Sequence, residues 1–210
     1  MTESNNPVVW VSAAPMDSTR RRQFSVDIIE NDGERGIEVL NRMTERKPLS
    51  LDELPKTFYS RTSQDNKKRP DIFMANDWWI VSEAFAEILM QHDLGNNQLA
   101  KVDLLKSNRK TPIEGSYYCL TLSEHKQSIN LDLSTGTYKF GEQHWRLELT
   151  ENRQHDQVAL GRSALSGPDL WLEKDFYRAF FLSKRLATAL REAKLTRFLS
   201  LYRCRVLADE

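Results

Sequence analysis

The residues best able to do chemistry do not fall at the spacings that chemistry requires. There is no P-loop and no G-x-G-x-x-G. Gly161-Arg162-Ser163-Ala164-Leu165 opens like a nucleophile elbow, but Leu165 stands where the sharp strand-to-helix turn needs a second glycine. The histidines are His92, His125, His144 and His155, and no two lie four apart, so none can share a helical face as zinc ligands. Cys119 and Cys204 form no Cys-x-x-Cys pair. Cys204 lies between Arg203 and Arg205, where positive charge could make it reactive, and the competing reading is a packed thiol. Asp71 and Asp77, ahead of Trp78-Trp79, could form an acid/base couple, but an aspartate after Pro70 equally serves to shape a turn or a cap. The expectation is therefore no catalytic residue, no metal site and no cofactor.

Binding chemistry is better represented, on two segments of opposite charge. The first is Asp77-Trp78-Trp79, followed by a window over 83–93 that holds Glu83, Glu87 and Asp93 and no Lys or Arg. Adjacent residues on a strand face opposite ways, so one of the two tryptophans could be core and the other an interface anchor. The second is 184–205, which has seven Lys or Arg and one acid, with Phe198 and Tyr202 among them. That composition suits a nucleic-acid surface or an ordinary solvated face.

The elements that must carry these segments can be read from periodicity and turn chemistry. Ser82 is a suitable helix N-cap. After it Phe85, Ile88, Leu89 and His92 recur at helical spacing, and Gly95 suits the left-handed stop. A second helix is expected over 184–194. Phe24, Val26 and Ile28 alternate with polar or solvent-side neighbours and read as a strand, whereas 36–45 reads equally as strand or helix. The polar stretch 60–69 reads as a surface loop. The middle third carries short β runs at 102–105, 117–122, 129–133, 138–140, 145–149 and 158–165. The expected class is α+β, mainly antiparallel sheet with two principal helices, in a single domain over 1–210.

Two stretches echo each other. Pro70-Asp71-Ile72-Phe73 answers Pro168-Asp169-Leu170-Trp171, and Ile80-Val81-Ser82 answers Phe181-Leu182-Ser183. Leu89 aligns with Leu190 and Leu94 with Leu195. Residues 70–105 and 168–206 are thus candidate strand–strand–helix–strand repeats, although strand–Ser–helix units look alike without common origin. Their helices differ in charge, net −3 against net +3 on the residues above.

The whole chain has 210 residues, 30 basic and 30 acidic, so it is neither a globally basic nucleic-acid coat nor an acidic tail protein. No apolar run approaches the ~20 residues of a membrane helix, and the polar start has no basic n-region of a signal peptide. A cytoplasmic protein is expected.

Arg69-Pro70-Asp71-Ile72-Phe73, Trp79-Ile80-Val81-Ser82-Glu83, Asp93-Leu94 and Val102-Asp103-Leu104-Leu105 resemble the core of a bacterial immunity-protein family, the imm-eleven group of polymorphic toxin systems. Gly167-Pro168-Asp169-Leu170-Trp171 with Phe181-Leu182-Ser183 is similar to that family's C-terminal half. The resemblance spans most of the chain. It implies a non-enzymatic cytoplasmic protein that binds a cognate toxin and protects the cell producing it. Many toxins of such systems are nucleases with basic grooves, and charge complementarity then makes the segment holding Asp77, Trp78, Trp79, Glu83, Glu87 and Asp93 the expected contact, the competing reading being a solvated cover over the sheet. A nucleic-acid-binding module and a small enzyme with an unrecognised site remain the alternatives.

Overall fold

The computed structural model describes residues 7–62, 69–142, 144–148 and 153–208. The chain divides into two compact units. The first is Asp17–Ser123, and the second joins Met1–Met16 to Glu124–Glu210. In chain order, β1 (Val9–Ser12) belongs to the second unit's sheet. The first unit follows with β2 (Arg21–Arg22), β3 (Phe24–Val26), α1 (Asp27–Asn31), α2 (Gly33–Thr44), β4 (Thr57–Ser60), β5 (Ile72–Ala75), β6 (Trp78–Ser82), α3 (Glu83–Leu89), β7 (Leu99–Leu105) and β8 (Tyr117–Leu120). The second unit continues with β9 (His125–Lys126), β10 (Ile129–Asn130), β11 (Thr137–Phe140), β12 (His144–Leu147), β13 (Ala159–Leu160), β14 (Leu170–Glu173), β15 (Phe180–Ser183), α4 (Lys184–Glu192) and β16 (Leu201–Val206).

The echoed Pro-Asp and Ser residues meet in both units. Ser82 Oγ accepts from the Phe85 amide (3.4 Å) and donates to Asp71 Oδ1 (3.0 Å), while the Ser82 amide donates to the Asp71 carbonyl (2.9 Å). Ser183 repeats each bond, with Leu186 (3.2 Å), Asp169 Oδ1 (2.5 Å) and the Asp169 carbonyl (2.9 Å). The aspartate thus locks the capping serine onto the strand that precedes its hairpin, and the helix start is fixed relative to the sheet. Asp71 is a structural clamp.

The likeness extends across both seven-stranded sheets. The first unit's order is β2-β5-β6-β8-β7-β4-β3, and the second's is β9-β14-β15-β1-β16-β13-β10. The sense of pairing matches at every step. β2/β5 and β9/β14 are parallel, as are β4/β7 and β13/β16, and the remaining pairs are antiparallel. Register agrees too. Ile80 lies between Phe73 and Cys119, and Phe181 lies between Trp171 and Val11. The strand that answers β8 is β1, drawn from the other side of the first unit in sequence.

The α+β class and its largely antiparallel sheets are as expected. Four helices are found among the described residues, and the longest, α2, belongs to a pair that the pattern did not reveal. The alternation from Phe24 stops at Val26, because Asp27 begins α1 and its carboxylate accepts from Ile28 (2.8 Å) and from the distant Thr57 amide (3.0 Å). Gly36 lets α1 and α2 touch: a Cβ there would lie 2.7 Å from both the Ile28 carbonyl oxygen and the Ile29 Cα. Ile28, Ile29, Leu40 and Met43 pack with buried Val39 on one core, with Phe24, Phe58, Phe73, Trp78 and Ile80. The helices read over 83–93 and 184–194 start as expected but end at Leu89 and Glu192.

Candidate binding site

The structure separates the residues of the acidic segment. Trp78 and Trp79 are both core, at 0% and 8% exposure, so neither ring is a surface anchor. Asn76 and Asp77 occupy the two left-handed positions (φ 48° and 66°) of the β5–β6 hairpin turn. Asp77 pairs there with Arg21 at 2.6 Å. Glu83 and Glu87 are exposed on α3, at the opposite end of β6 from Asp77, which puts Glu83 about 20 Å away by strand rise. Asp93 lies past the helix and accepts from the Gly95 amide at 2.9 Å. The structure brings together Glu83 and Glu87. Of the expected 60–69 loop, residues 63–68 lie outside the described residues.

The basic segment, by contrast, is gathered into a cleft of about 710 Å³ in the second unit. Its helical wall is Lys184, Thr188 and Arg191, at the i, i+4, i+7 positions of one face of α4. Arg203 and Arg205 come from β16, two apart and therefore on one side of the sheet. Arg162 of a 3-10 turn adds a further cation and Trp10 of β1 an aromatic ring, and Asp156 is the only carboxylate among the described residues of the lining. The strands alternate cleanly. Val9, Val11 and Cys204 face the core with Trp171 and Phe181, which leaves Trp10, Arg203 and Arg205 for the cleft. The register Trp10↔Arg203 places two of these side by side.

Local contacts set the electrostatics. Arg203 Nε donates to Asp156 Oδ1 at 2.9 Å, and Nη2 donates to Oδ2. That hydrogen-bonded pair holds the Asp156 carboxyl below its usual range, with the charges of Arg203, His155 and Arg205 adding to it. A carboxyl whose pKa is lower folded than unfolded stabilises the fold above the unfolded value, and this is lost as pH falls through the folded one. Urea midpoints should therefore drop less between about pH 7 and pH 3 in Asp156→Asn than in the native protein. The effect will be modest, because both partners are partly in water.

The remaining sequence candidates are structural. Cys119 and Cys204 are 0% and 2% exposed. Burial pushes both thiols up, and nearby Asp156 and Glu173 add to this for Cys204. The flanking Arg203 and Arg205 project to the opposite side of β16, which is why they do not activate the thiol. A thiol reagent should label neither cysteine in the native protein and both in denaturant. His92 Nδ1 lies 2.8 Å from the Ile88 carbonyl oxygen, a bond within its own turn. Ser163 sits in a 3-10 turn rather than at a strand-to-helix elbow. Among the described residues no cluster of three or more His, Cys, Asp or Glu could hold a metal ion, and no helix is long and apolar enough to cross a membrane.

Sequence reasoning had the cations of 184–205 but not their convergence. The stripe Lys184, Thr188, Arg191 and the pair Arg203, Arg205 were visible as spacings. Trp10, Asp156 and Arg162 gave no signal, because only the sheet order brings them there.

Scaffold and cleft together define an α+β protein whose surface features suit binding. The chain belongs to the Imm11 immunity protein family, whose model matches residues 5–199. No curated protein matches the chain.

Proposed function

We propose that this protein binds and neutralises a cognate protein toxin encoded nearby, in the cytoplasm of the cell that makes it. The observation that carries this reading is the immunity-family match across nearly the whole chain. The protein acts by occupying its target rather than by turning over a substrate. Tight, fast association of that kind is favoured by complementary charge. On the first unit, Glu83 and Glu87 of α3 are exposed and unopposed by any basic residue on that helix. With Asp93 they form the contact proposed for a basic toxin groove; Asp77, paired with Arg21 at the far end of β6, is not part of it. Trp78 and Trp79 contribute from beneath, by holding β6 in place.

The test is co-expression with the toxin encoded beside the gene. Protection by the native protein, and a stable complex on copurification, are expected. Changing Glu83, Glu87 and Asp93 together to Lys should slow association at low salt and weaken protection, with the melting temperature unchanged. Full protection with an unchanged association rate removes α3 from the contact. Failure of the native protein to bind or protect overturns the reading itself.

A further inference from the structure

The helix caps and strand registers that equate the two units also equate their surface positions. Counting from Ser82 and Ser183, Lys184 answers Glu83, Thr188 answers Glu87, and Arg191 answers Met90. Through β6/β8/β7 and β15/β1/β16, Trp10 answers Tyr118, Arg203 answers Lys101, and Arg205 answers Asp103. Of these six matched positions two reverse sign, Glu83/Lys184 and Asp103/Arg205, while Lys101/Arg203 stays basic, so the face is cationic in the second unit and mixed in the first. The cationic face is thus a property of the second unit and not of the shared scaffold.

We infer that the cleft of the second unit binds a carboxylate-rich polypeptide segment of the toxin; this rests on the toxin-binding reading above. Three observations fix the chemistry. First, the only carboxylate among the described residues of the cleft is already paired with Arg203, while Lys184 and Arg191 have no carboxylate partner among the described residues. A ligand rich in carboxylates would complement these charges. Second, the volume of about 710 Å³ suits a few side chains of a segment. Third, the one aromatic ring in the lining is not open for stacking. The Arg191 guanidinium lies 4.6 Å from the Trp10 ring centroid, and the His155 ring meets Trp10 edge-on at 5.8 Å. Single-stranded nucleic acid is held by open aromatic faces as well as by charge, so the blocked ring favours carboxylates. Pro7, Val8, Val206 and Leu207 at the cleft offer apolar surface for the aliphatic parts of such a segment.

The two-unit correspondence supplies a variant with a built-in precedent for folding. Lys184→Glu, Thr188→Glu and Arg191→Met together write the α3 residues onto α4. Lys194→Glu with Arg197→Glu, outside the cleft lining, makes the same change in net charge and serves as the control. Binding of a short fluorescent oligo-glutamate peptide, and of a short single-stranded DNA, is read by anisotropy on the full chain at low and physiological salt. The peptide should bind the native chain and the control alike and lose about tenfold or more in affinity on the triple variant. Equal peptide binding by the triple variant, no binding by the native chain, or DNA binding tighter than peptide binding each overturns the assignment. Titrating the toxin against the same proteins separates the two readings. A toxin that binds the native chain and the triple variant equally sinks the cleft assignment alone, whereas one that binds neither sinks the function.

Discussion

Replacing Glu173 by alanine is expected to cost about 3–5 kcal/mol of stability, the largest effect of any single substitution considered for this chain. Glu173 is 0% exposed. Its carboxylate accepts from the Ser128 amide (2.7 Å), the Ile129 amide (3.1 Å), the Trp171 indole N–H (2.9 Å) and the Ser128 hydroxyl. Alanine removes the acceptor and leaves these donors buried, at about 1–3 kcal/mol for each that water cannot reach. These bonds tie the segment before β10 to β14, so the loss falls on the second unit's sheet edge as well as on its core. Glu173→Gln keeps one good acceptor oxygen and should lose less. Urea unfolding of both variants is the check, and a Glu173→Ala midpoint equal to the native one would refute the account. The equivalent position in the first unit is Ala75, so the buried carboxylate belongs to one unit and not to the shared scaffold.

Leu89→Ala should cost about 2–5 kcal/mol. Leu89 is 0% exposed, on the same face of α3 as Phe85 and Ala86. The loss combines transfer of the side chain with the cavity left behind, and its size depends on how far the site can close. The neighbouring Met90 is 57% exposed, and Met90→Ala should stay within about 0.5 kcal/mol of the native protein. The contrast between the two in one denaturant series tests the helix face directly. Leu190, the counterpart in α4, is also 0% exposed and should behave like Leu89.

What the sequence made legible were features whose causes are local. The serine caps and the apolar spacings after them are each set by residues within a few positions, and each appears where expected. The strand read from Tyr117 likewise holds, whereas the runs read at 129–133 and 138–140 lie in different sheets, β10 pairing with β13 and β11 with β12. What stayed hidden depended on distant partners. The alternation through Phe24 and Val26 gave no hint that Asp27 would take the Thr57 amide and start a helix. Gly36 reads as a helix-weakening residue, yet it serves the close approach of α1 to α2. The Trp78-Trp79 pair looked half exposed because a strand has two sides, but both sides of β6 are covered. The acidic segment was therefore legible as charge and misleading as an aromatic anchor. The basic segment was legible as composition, and its cleft needed the sheet order.

That sheet order has a consequence for biosynthesis. β1 occupies the middle of the second unit's sheet, between β15 and β16, yet it is translated before all of the first unit. The first unit's strands are contiguous in sequence and can pair as they emerge. β1 must instead persist with both edges unpaired until strands more than a hundred residues later leave the ribosome. Its Val9, Trp10 and Val11 are apolar and its two edges are open templates for pairing. The nascent chain is thus exposed to misassociation at β1, and the native cleft, floored in part by Trp10, cannot exist until β16 arrives.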